Sequence, residues 1–268
     1  MPLSRRRREV YDKGNDFSRK KAYLLSNPMP HSPVYGSTLK WIAILTMLCD
    51  HIAAVVLMPL YGVVVNFTSL SSLAAAFASG GITALCALLR LIGRLAFPIF
   101  CFLLAEGLHY THSRVRYLRN ILIAGLLSEV PFDLCLRSTP FALDTQNVMW
   151  TLALGLIACA LLDRLHNRRW LGLLAALGCA AVAYIAHTDY DAFGVVLIVL
   201  LYLLRQERLP QCLVGAFMTA FEYSAPLAFV PIYCYNGRRG RQMKWFFYLF
   251  YPVHLFLLYL IRYSLAGF

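Results

Sequence analysis

A succession of apolar segments, each about as long as a bilayer is thick, constrains this chain more than any other feature. Windows of about twenty apolar residues fall near residues 39–61, 91–110, 117–136, 147–163, 170–187, 192–205, 211–233 and 245–265. Charged side chains make up only 14% of the chain, whereas soluble domains carry about 25%. The sequence therefore predicts an all-α fold, a polytopic transmembrane helix bundle of about eight spans.

The stretch 63–89 does not fit this simple count. It is small, apolar and uncharged, and Gly80–Gly81 interrupts it. An interfacial hairpin, a re-entrant helix and a ninth span are all compatible with this pattern. The domain organisation is otherwise simple, with a basic N-terminal arm over residues 1–38 and a transmembrane domain over residues 39–265.

The distribution of basic residues predicts the orientation in the membrane. Residues 1–40 hold nine basic and three acidic side chains, a net charge of +6, which favours a cytoplasmic arm lying over anionic lipid. Membrane lipids are thus the expected partner of this arm, and no nucleic acid is expected. One loop conflicts with this topology, because "YNGRRGRQMK" at 235–244 carries four positive charges on the predicted outer side. Either a span is miscounted near Pro226–Pro231, or the loop is held there by something it binds.

Several polar residues lie inside the apolar segments. A charge at the bilayer centre costs about 2.5–3.5 kcal/mol even on the mild insertion scale, so a group of them predicts a polar interior cavity. Structural ion pairs between helices are the alternative for any single residue. The residues concerned are Asp50, His51, Arg94, Glu106, Glu129, Asp133, Gln146, Asn147, Glu222 and His254, joined by Asp191 from an adjoining loop.

Asp50 and His51 are neighbours, so on a helix their side chains point about 100° apart. We therefore expect each to meet a different helix, and Arg94 is the expected partner of Asp50. Arg90 is expected to extend towards lipid headgroups. His51 and His254 lie midway along the first and last apolar segments, where histidine is suited to moving a proton.

Two further groups of residues predict sites of different kinds. Glu129 and Asp133 share a helix face, and with Gln146, Asn147 and Asp191 they predict an acidic outer vestibule, although helix capping is an alternative for Gln146 and Asn147. "EGLHYTH" at 106–112 is weakly metal-like, but three arginines beside it oppose cation binding, and no metal site is predicted.

Seven segments in series resemble the TraX family of membrane proteins over about residues 39–262. They are "LKWIAILTMLCDHIA", "IGRLAFPIFCFLLAEG", "YLRNILIAGLLSEVPFDL", "QNVMWTLALGL", "YDAFGVVLI", "YNGRRG" and "FYLFYPVHLFLLYL". The resemblance implies a multi-pass protein of the bacterial cytoplasmic membrane and an acetyltransferase that uses acetyl-CoA as donor. The founding member acetylates the N-terminus of conjugative pilin, so a pilin-like protein or a surface glycan is the expected acceptor.

Such a reaction needs a base, donors for the developing oxyanion and cations for the phosphates of coenzyme A. His51 is the candidate base, and Arg94, Gln146 and Asn147 are candidate oxyanion donors. The candidate coenzyme A contacts are Arg114, Arg116, Arg119, Arg238, Arg239 and Arg241, for which membrane topology alone is the alternative explanation. A proton-coupled transporter and a non-catalytic assembly factor are the other function classes.

Overall fold

The computed structural model describes residues 29, 31–67, 69–142, 144–241 and 243–266, and these are helical without a β-strand. The predicted N-terminal arm lies largely outside the described residues. The helices are α1 (Gly36–Tyr61), α2 (Leu70–Ala78), α3 (Gly81–Gly93), α4 (Ala96–Tyr110), α5 (Arg114–Leu136), α6 (Val148–Arg164), α7 (Arg169–Ile185), α8 (Asp191–Leu203), α9 (Arg208–Met218), α10 (Phe229–Tyr233) and α11 (Lys244–Leu265).

Local sequence explains where several of these helices begin and end. The hydroxyl of Ser69 caps α2, that of Ser113 caps α5, and the side chain of Asn147 caps α6, each satisfying a backbone N–H that the first turn leaves free. Gly80 and Gly81 have positive φ angles of 65° and 53°, which glycine adopts without steric cost. The predicted break at Gly80–Gly81 is confirmed, since it separates α2 from α3.

The basic loops gather at one end of the bundle, here called the basic end and defined by Gly36, Tyr110, Arg114, Arg208 and Gly237. The Tyr110 hydroxyl donates to the carbonyl of Gly237 at 3.2 Å, and the amide of Gly36 donates to the carbonyl of Arg238 at 2.9 Å. The loop that conflicted with the predicted topology therefore lies beside the start of α1.

The segment 208–236 explains this placement and corrects the prediction of a single helix over 211–233. It consists of α9, two 3₁₀ turns and the short α10. The guanidinium of Arg208 lies 5.3 Å from the ring of Tyr235, so both ends of the segment lie together. Its tip, at Glu222, reaches Arg94 halfway along the bundle. We call it the re-entrant segment, because it enters and leaves at the basic end.

The helices also differ in length in a way that shapes the interior. Gly36–Tyr61, Gly81–Tyr110 and Trp245–Leu265 are long and apolar enough to cross a membrane. Helices α6 and α7 have 17 residues each and α8 has 13, or only about 26 and 20 Å at 1.5 Å per residue. The count of about eight spans therefore stays a prediction, and the α7–α8 loop lies at the depth of Arg94, where Tyr190 stacks on Phe97 at 3.6 Å.

Large apolar side chains cover much of the outer surface. Phe217 is 82% exposed, Ile185 74% and Trp245 69%, and such a surface is unusual for a monomeric soluble protein. The largest apolar core lies where α4, α6, α7 and α8 meet. A second one lies between α1, α5 and α11 and includes Tyr251 and Leu255.

Candidate functional site

A network of ion pairs joins α1, the end of α3 and the tip of the re-entrant segment. Asp50 accepts hydrogen bonds from Arg90 at 2.5 Å and from Arg94 at 3.1 Å. Arg94 also donates to Glu222 at 3.1 Å. Two positive and two negative side chains therefore compensate one another. The expectation that Arg90 extends to lipid headgroups is wrong, because its guanidinium turns inward to Asp50.

Gly93 makes this network possible. A Cβ atom built on Gly93 would lie only 2.3 Å from the Cβ of Asp50, far inside any allowed contact. The absence of a side chain at position 93 therefore lets the carboxylate of Asp50 lie against the backbone of α3, between the two arginines one turn apart.

The helix α1 widens directly after the Asp50–His51 pair. Residues Ile52–Leu57 form a π-helical turn, a rare form that occurs mostly as a local bulge, often at functional sites. Pro59 provides a local cause, since it cannot donate to the carbonyl of Val55 and its ring crowds that carbonyl.

His51 belongs to a second group of residues, on the side of α1 that faces α11. Its Nδ1 lies 2.7 Å from Nε2 of His254, and Nδ1 of His254 lies 2.7 Å from the carbonyl oxygen of Phe250. The first and last long helices thus meet through two hydrogen-bonded imidazoles. We call His51 and His254 the histidine dyad.

The hydrogen-bond network determines the tautomers of the dyad when both rings are neutral. A carbonyl oxygen only accepts, so Nδ1 of His254 carries the hydrogen and its Nε2 has a free electron pair. Nε2 of His254 therefore accepts from Nδ1 of His51. It follows that Nε2 of His51 keeps a free electron pair, which is the arrangement a general base requires.

Aromatic rings enclose the dyad and fix its orientation. The ring of Phe250 stacks on His254 at 4.7 Å and 13°, and the two imidazoles stack at 5.0 Å and 26°. Tyr251 lies tilted against both imidazoles. His254 is only 5% exposed, so its ring is held by packing as well as by hydrogen bonds.

Two carboxylates of α5, Glu129 and Asp133, accept hydrogen bonds from outside their own helix. Oε2 of Glu129 accepts from Trp150 at 2.8 Å and from Asn147, while Oδ2 of Asp133 accepts from the amide of Ala142 at 2.8 Å. The capping alternative for Asn147 is thus realised, because the same side chain caps α6 and contacts Glu129.

The α7–α8 loop brings an acid to the site that the sequence analysis did not select. His187, Tyr190 and Asp191 have positive φ angles of 49°, 65° and 42°, a strained backbone of the kind that clusters at functional sites. Thr151 pins the loop by donating to the carbonyl of Asp189. Burial raises the pKa of the Asp189 carboxyl to about 6, and the charge of Arg94 partly offsets this rise.

Other predicted residues lie apart from the dyad. Glu106 is buried near the basic end, with an oxygen 3.8 Å from Arg208, away from the other residues assigned to the polar interior. Asp191 begins α8, and Gln146 pairs with the α7–α8 loop through its backbone. All six candidate coenzyme A contacts are exposed, and one of them, Arg114, forms an ion pair with Asp163. The remaining five are Arg116, Arg119, Arg238, Arg239 and Arg241.

Sequence reasoning missed Arg90, Tyr251 and Asp189 as parts of the site. The spacing of Arg90 and Arg94, four residues apart on one face of a helix, was a usable signal for the first. No local pattern distinguishes Tyr251 from the other aromatic residues around it, or Asp189 from Asp191. Their positions depend on how distant helices pack.

Comparisons with known proteins identify the family of this chain. Over 201 residues, which are 63% of this chain and 81% of the other, it is 29% identical to a protein of Dichelobacter nodosus described as "Probable fimbrial assembly protein FimC, serogroup H1". No solved structure matches this chain. The profile of the family described as "TraX protein" matches residues 35–262, a range that includes both histidines of the dyad. The chain therefore belongs to the TraX family.

Proposed function

We propose that this protein is a membrane acetyltransferase in which His51 is the general base that activates the acceptor. The free electron pair on Nε2 of His51, which follows from the hydrogen bonds of the dyad, is the observation that carries this proposal. His254 holds the imidazole of His51 in the required tautomer and orientation, as the carboxylate does in a serine protease triad.

The donor in this proposal is acetyl-CoA, which approaches from the basic end. The phosphates are assigned to the loop 237–241, which presents Arg238, Arg239 and Arg241 at the surface. This loop is attached to α1 by backbone hydrogen bonds from Gly36 and Ser37 to the carbonyls of Arg238 and Arg239. Its exposed arginines are therefore held at a fixed distance from His51.

The distance along α1 suits such a donor. His51 follows Ser37 by fourteen steps along the helix, a rise of about 21 Å. The pantetheine arm has about as many bonds as four extended residues, or roughly 14 Å. An arginine side chain spans the remainder when it binds the phosphates. The thioester would then lie near the dyad while the phosphates stay at the basic end.

Acyl transfer then proceeds with a simple balance of atoms. The acceptor nitrogen or oxygen attacks the thioester carbonyl, its proton passes to Nε2 of His51, and the carbon–sulfur bond breaks. The thiolate of coenzyme A takes the proton from His51, which restores the neutral dyad. Because the relative in Dichelobacter nodosus is described as a fimbrial assembly protein, we propose a pilin-like acceptor within pilus assembly.

The test is transfer of labelled acetyl from acetyl-CoA by the purified protein in detergent. We expect labelled acceptor or, without acceptor, slow hydrolysis of the thioester. The second candidate function is a non-catalytic assembly factor, which the name of the relative favours. Either release or transfer of acetyl in this measurement would rule it out. A protein that neither binds acetyl-CoA nor releases acetyl would support that second function and contradict the first.

A further inference from the structure

A cavity of about 340 Å³ lies at the end of the bundle opposite the basic end. It is half-open, and its walls come from the ends of α1 and α11 and from the residues that follow α5. Its lining includes Leu60, Ser138, Tyr259, Arg262 and Tyr263. We call it the end cavity. It is shared by the first and last long helices, the same two that carry the histidine dyad.

The end cavity contains one charged side chain, the half-buried Arg262. Its guanidinium donates to the carbonyls of Cys135 at 2.8 Å and Leu134 at 2.9 Å, at the carbonyl end of α5, and this helix end supplies only about half a negative charge. No carboxylate among the described residues pairs with Arg262, whereas Arg137 is paired with Asp144. Since a guanidinium has five N–H donors, Arg262 retains both charge and donors for a ligand.

The length of α11 determines the depth of the end cavity in a bilayer. The helix has 22 residues, or about 33 Å, close to the hydrocarbon thickness of about 30 Å. A bilayer crossed by α11 therefore places Arg262, three residues before the end of the helix, at the headgroups of the leaflet away from the basic end. Tyr259 and Tyr263, with ring centroids 6.2 Å apart, are residues typical of that level. Basic residues are scarce on the side opposite a basic end, so an anionic partner is expected for Arg262.

We propose that the end cavity binds the headgroup of an anionic phospholipid, whose phosphate accepts hydrogen bonds from Arg262. The lining has no acidic side chain, so the cationic group of a zwitterionic headgroup would find no opposite charge. A glycerol headgroup, in contrast, finds the hydroxyls of Ser138, Tyr259 and Tyr263. Leu60 lines the same cavity and is 36% exposed, so the acyl chains can continue along the apolar surface of α1.

A lipid in the end cavity would hold α1, α5 and α11 together near the dyad. His51 precedes Pro59 by eight residues, and His254 precedes Arg262 by eight, so the cavity lies about 12 Å from the dyad along both helices. The contact between the two histidines depends on the pairing of α1 with α11. The bound lipid would therefore stabilise the region that contains the dyad, whatever reaction the dyad performs.

Unfolding of the full chain in a non-ionic detergent tests this site. The probes are dioleoyl phosphatidylglycerol, dioleoyl phosphatidylcholine and inorganic phosphate, each added to lipid-depleted protein. Salt at about 0.5 M screens the exposed arginines of the basic end from the anionic lipid. We expect phosphatidylglycerol to raise the unfolding temperature and to saturate at one lipid per chain, while the other two probes change it little.

Two variants assign the effect to the end cavity. Arg262→Gln removes the charge and keeps an amide donor for a carbonyl of α5, so phosphatidylglycerol should bind about tenfold more weakly or worse. Leu60→Trp fills the cavity and leaves Arg262 in place, so it should also block the lipid, and it carries the test if Arg262→Gln does not fold. Arg137→Gln is the matched control, because that arginine is exposed at the same end and is already paired with Asp144; it should bind the lipid as the wild type does.

Three results would overturn the proposal. Equal stabilisation by phosphatidylcholine would mean that the charge of the headgroup is not recognised. Equal stabilisation by inorganic phosphate would assign the cavity to free phosphate rather than to a lipid. Wild-type lipid binding by Leu60→Trp would place the lipid elsewhere on the protein. None of these measurements involves acetyl-CoA, so their outcome is independent of the proposed function.

Discussion

Asp50 and His51 are adjacent in the sequence, yet they belong to two regions of opposite construction. Asp50 lies in a network where two arginines and two carboxylates compensate one another across α1, α3 and the re-entrant segment. His51 lies in a dyad whose hydrogen bonds leave one ring nitrogen with a free electron pair. Two neighbouring polar residues of one helix can thus serve two separate structures, a compensated ion network on one side and a dyad with a free ring nitrogen on the other.

The largest effect should come from the dyad and should concern activity alone. His51→Ala is expected to lower acetyl transfer by about 10²–10⁴-fold, since a positioned general base typically contributes that much. Thermal stability in detergent and affinity for acetyl-CoA should change little, because the network of Asp50 is left intact. If His51→Ala keeps wild-type turnover, the dyad has no catalytic role that distinguishes it from the ion network.

The opposite result is expected for the network. Asp50→Ala leaves Arg90 and Arg94 without their shared carboxylate, and breaking a buried pair in this way typically costs about 3–5 kcal/mol. The unfolding temperature in detergent should therefore fall strongly, while turnover per folded molecule should change less. Adding Arg90→Ala should restore more stability than adding Arg94→Ala, because the loss of Arg94 also leaves Glu222 without its partner. Simple additivity in both double variants would mean that these contacts contribute nothing.

Gly93 tests the close approach of α1 to α3. Gly93→Ala places a methyl group where the Asp50 side chain now lies, and relieving the clash should cost about 1–3 kcal/mol, as overpacking does. Gly178→Ala is a matched control, since a Cβ atom at that position meets nothing within 4 Å. Equal unfolding temperatures for the two variants would contradict the described packing.

The proposed role of His254 predicts a smaller loss of acetyl transfer, and a conservative substitution should restore part of it. His254→Ala should lower acetyl transfer about tenfold or more, because His51 loses the group that orients its ring. His254→Gln offers an amide oxygen that still accepts from Nδ1 of His51, so it should recover part of the rate. If Gln and Ala behave alike, His254 does not act through that hydrogen bond.

The smallest effect concerns pH and the α7–α8 loop. The raised pKa of Asp189, about 6, means that the folded protein binds this proton more tightly than the unfolded chain does. Stability should therefore fall as the pH rises from about 4 to 6 and level off above. Asp189→Asn removes this loss, so the variant should be more stable than the wild type at neutral pH and should match it near pH 4. If Asp189→Asn raises the stability equally at neutral pH and near pH 4, the effect does not come from titration of this carboxyl.

Much of the helix content follows from sequence, but contacts between distant helices do not. Apolar periodicity and length predict α1, α5 and α11 within a few residues. The apolar composition of the re-entrant segment resembles that of a span and predicts a single helix over 211–233; only Pro226 and Pro231 indicate a break. The approach of His51 to His254 depends on packing over 203 residues, which no local pattern encodes.

The attachment of the 237–241 loop to the start of α1 has a consequence for how the protein is made. The first turn of α1 finds acceptors for its amides only when Arg238 and Arg239 have been synthesised, about two hundred residues later. His51 must likewise wait for His254. A nascent chain can insert its first helix early. A ribosome that stops before the 237–241 loop leaves neither the anchored start nor the dyad, and one that stops between this loop and α11 leaves only the dyad unformed. Contacts of such long sequence separation form late and slowly, so the site would assemble only after α11 has been made.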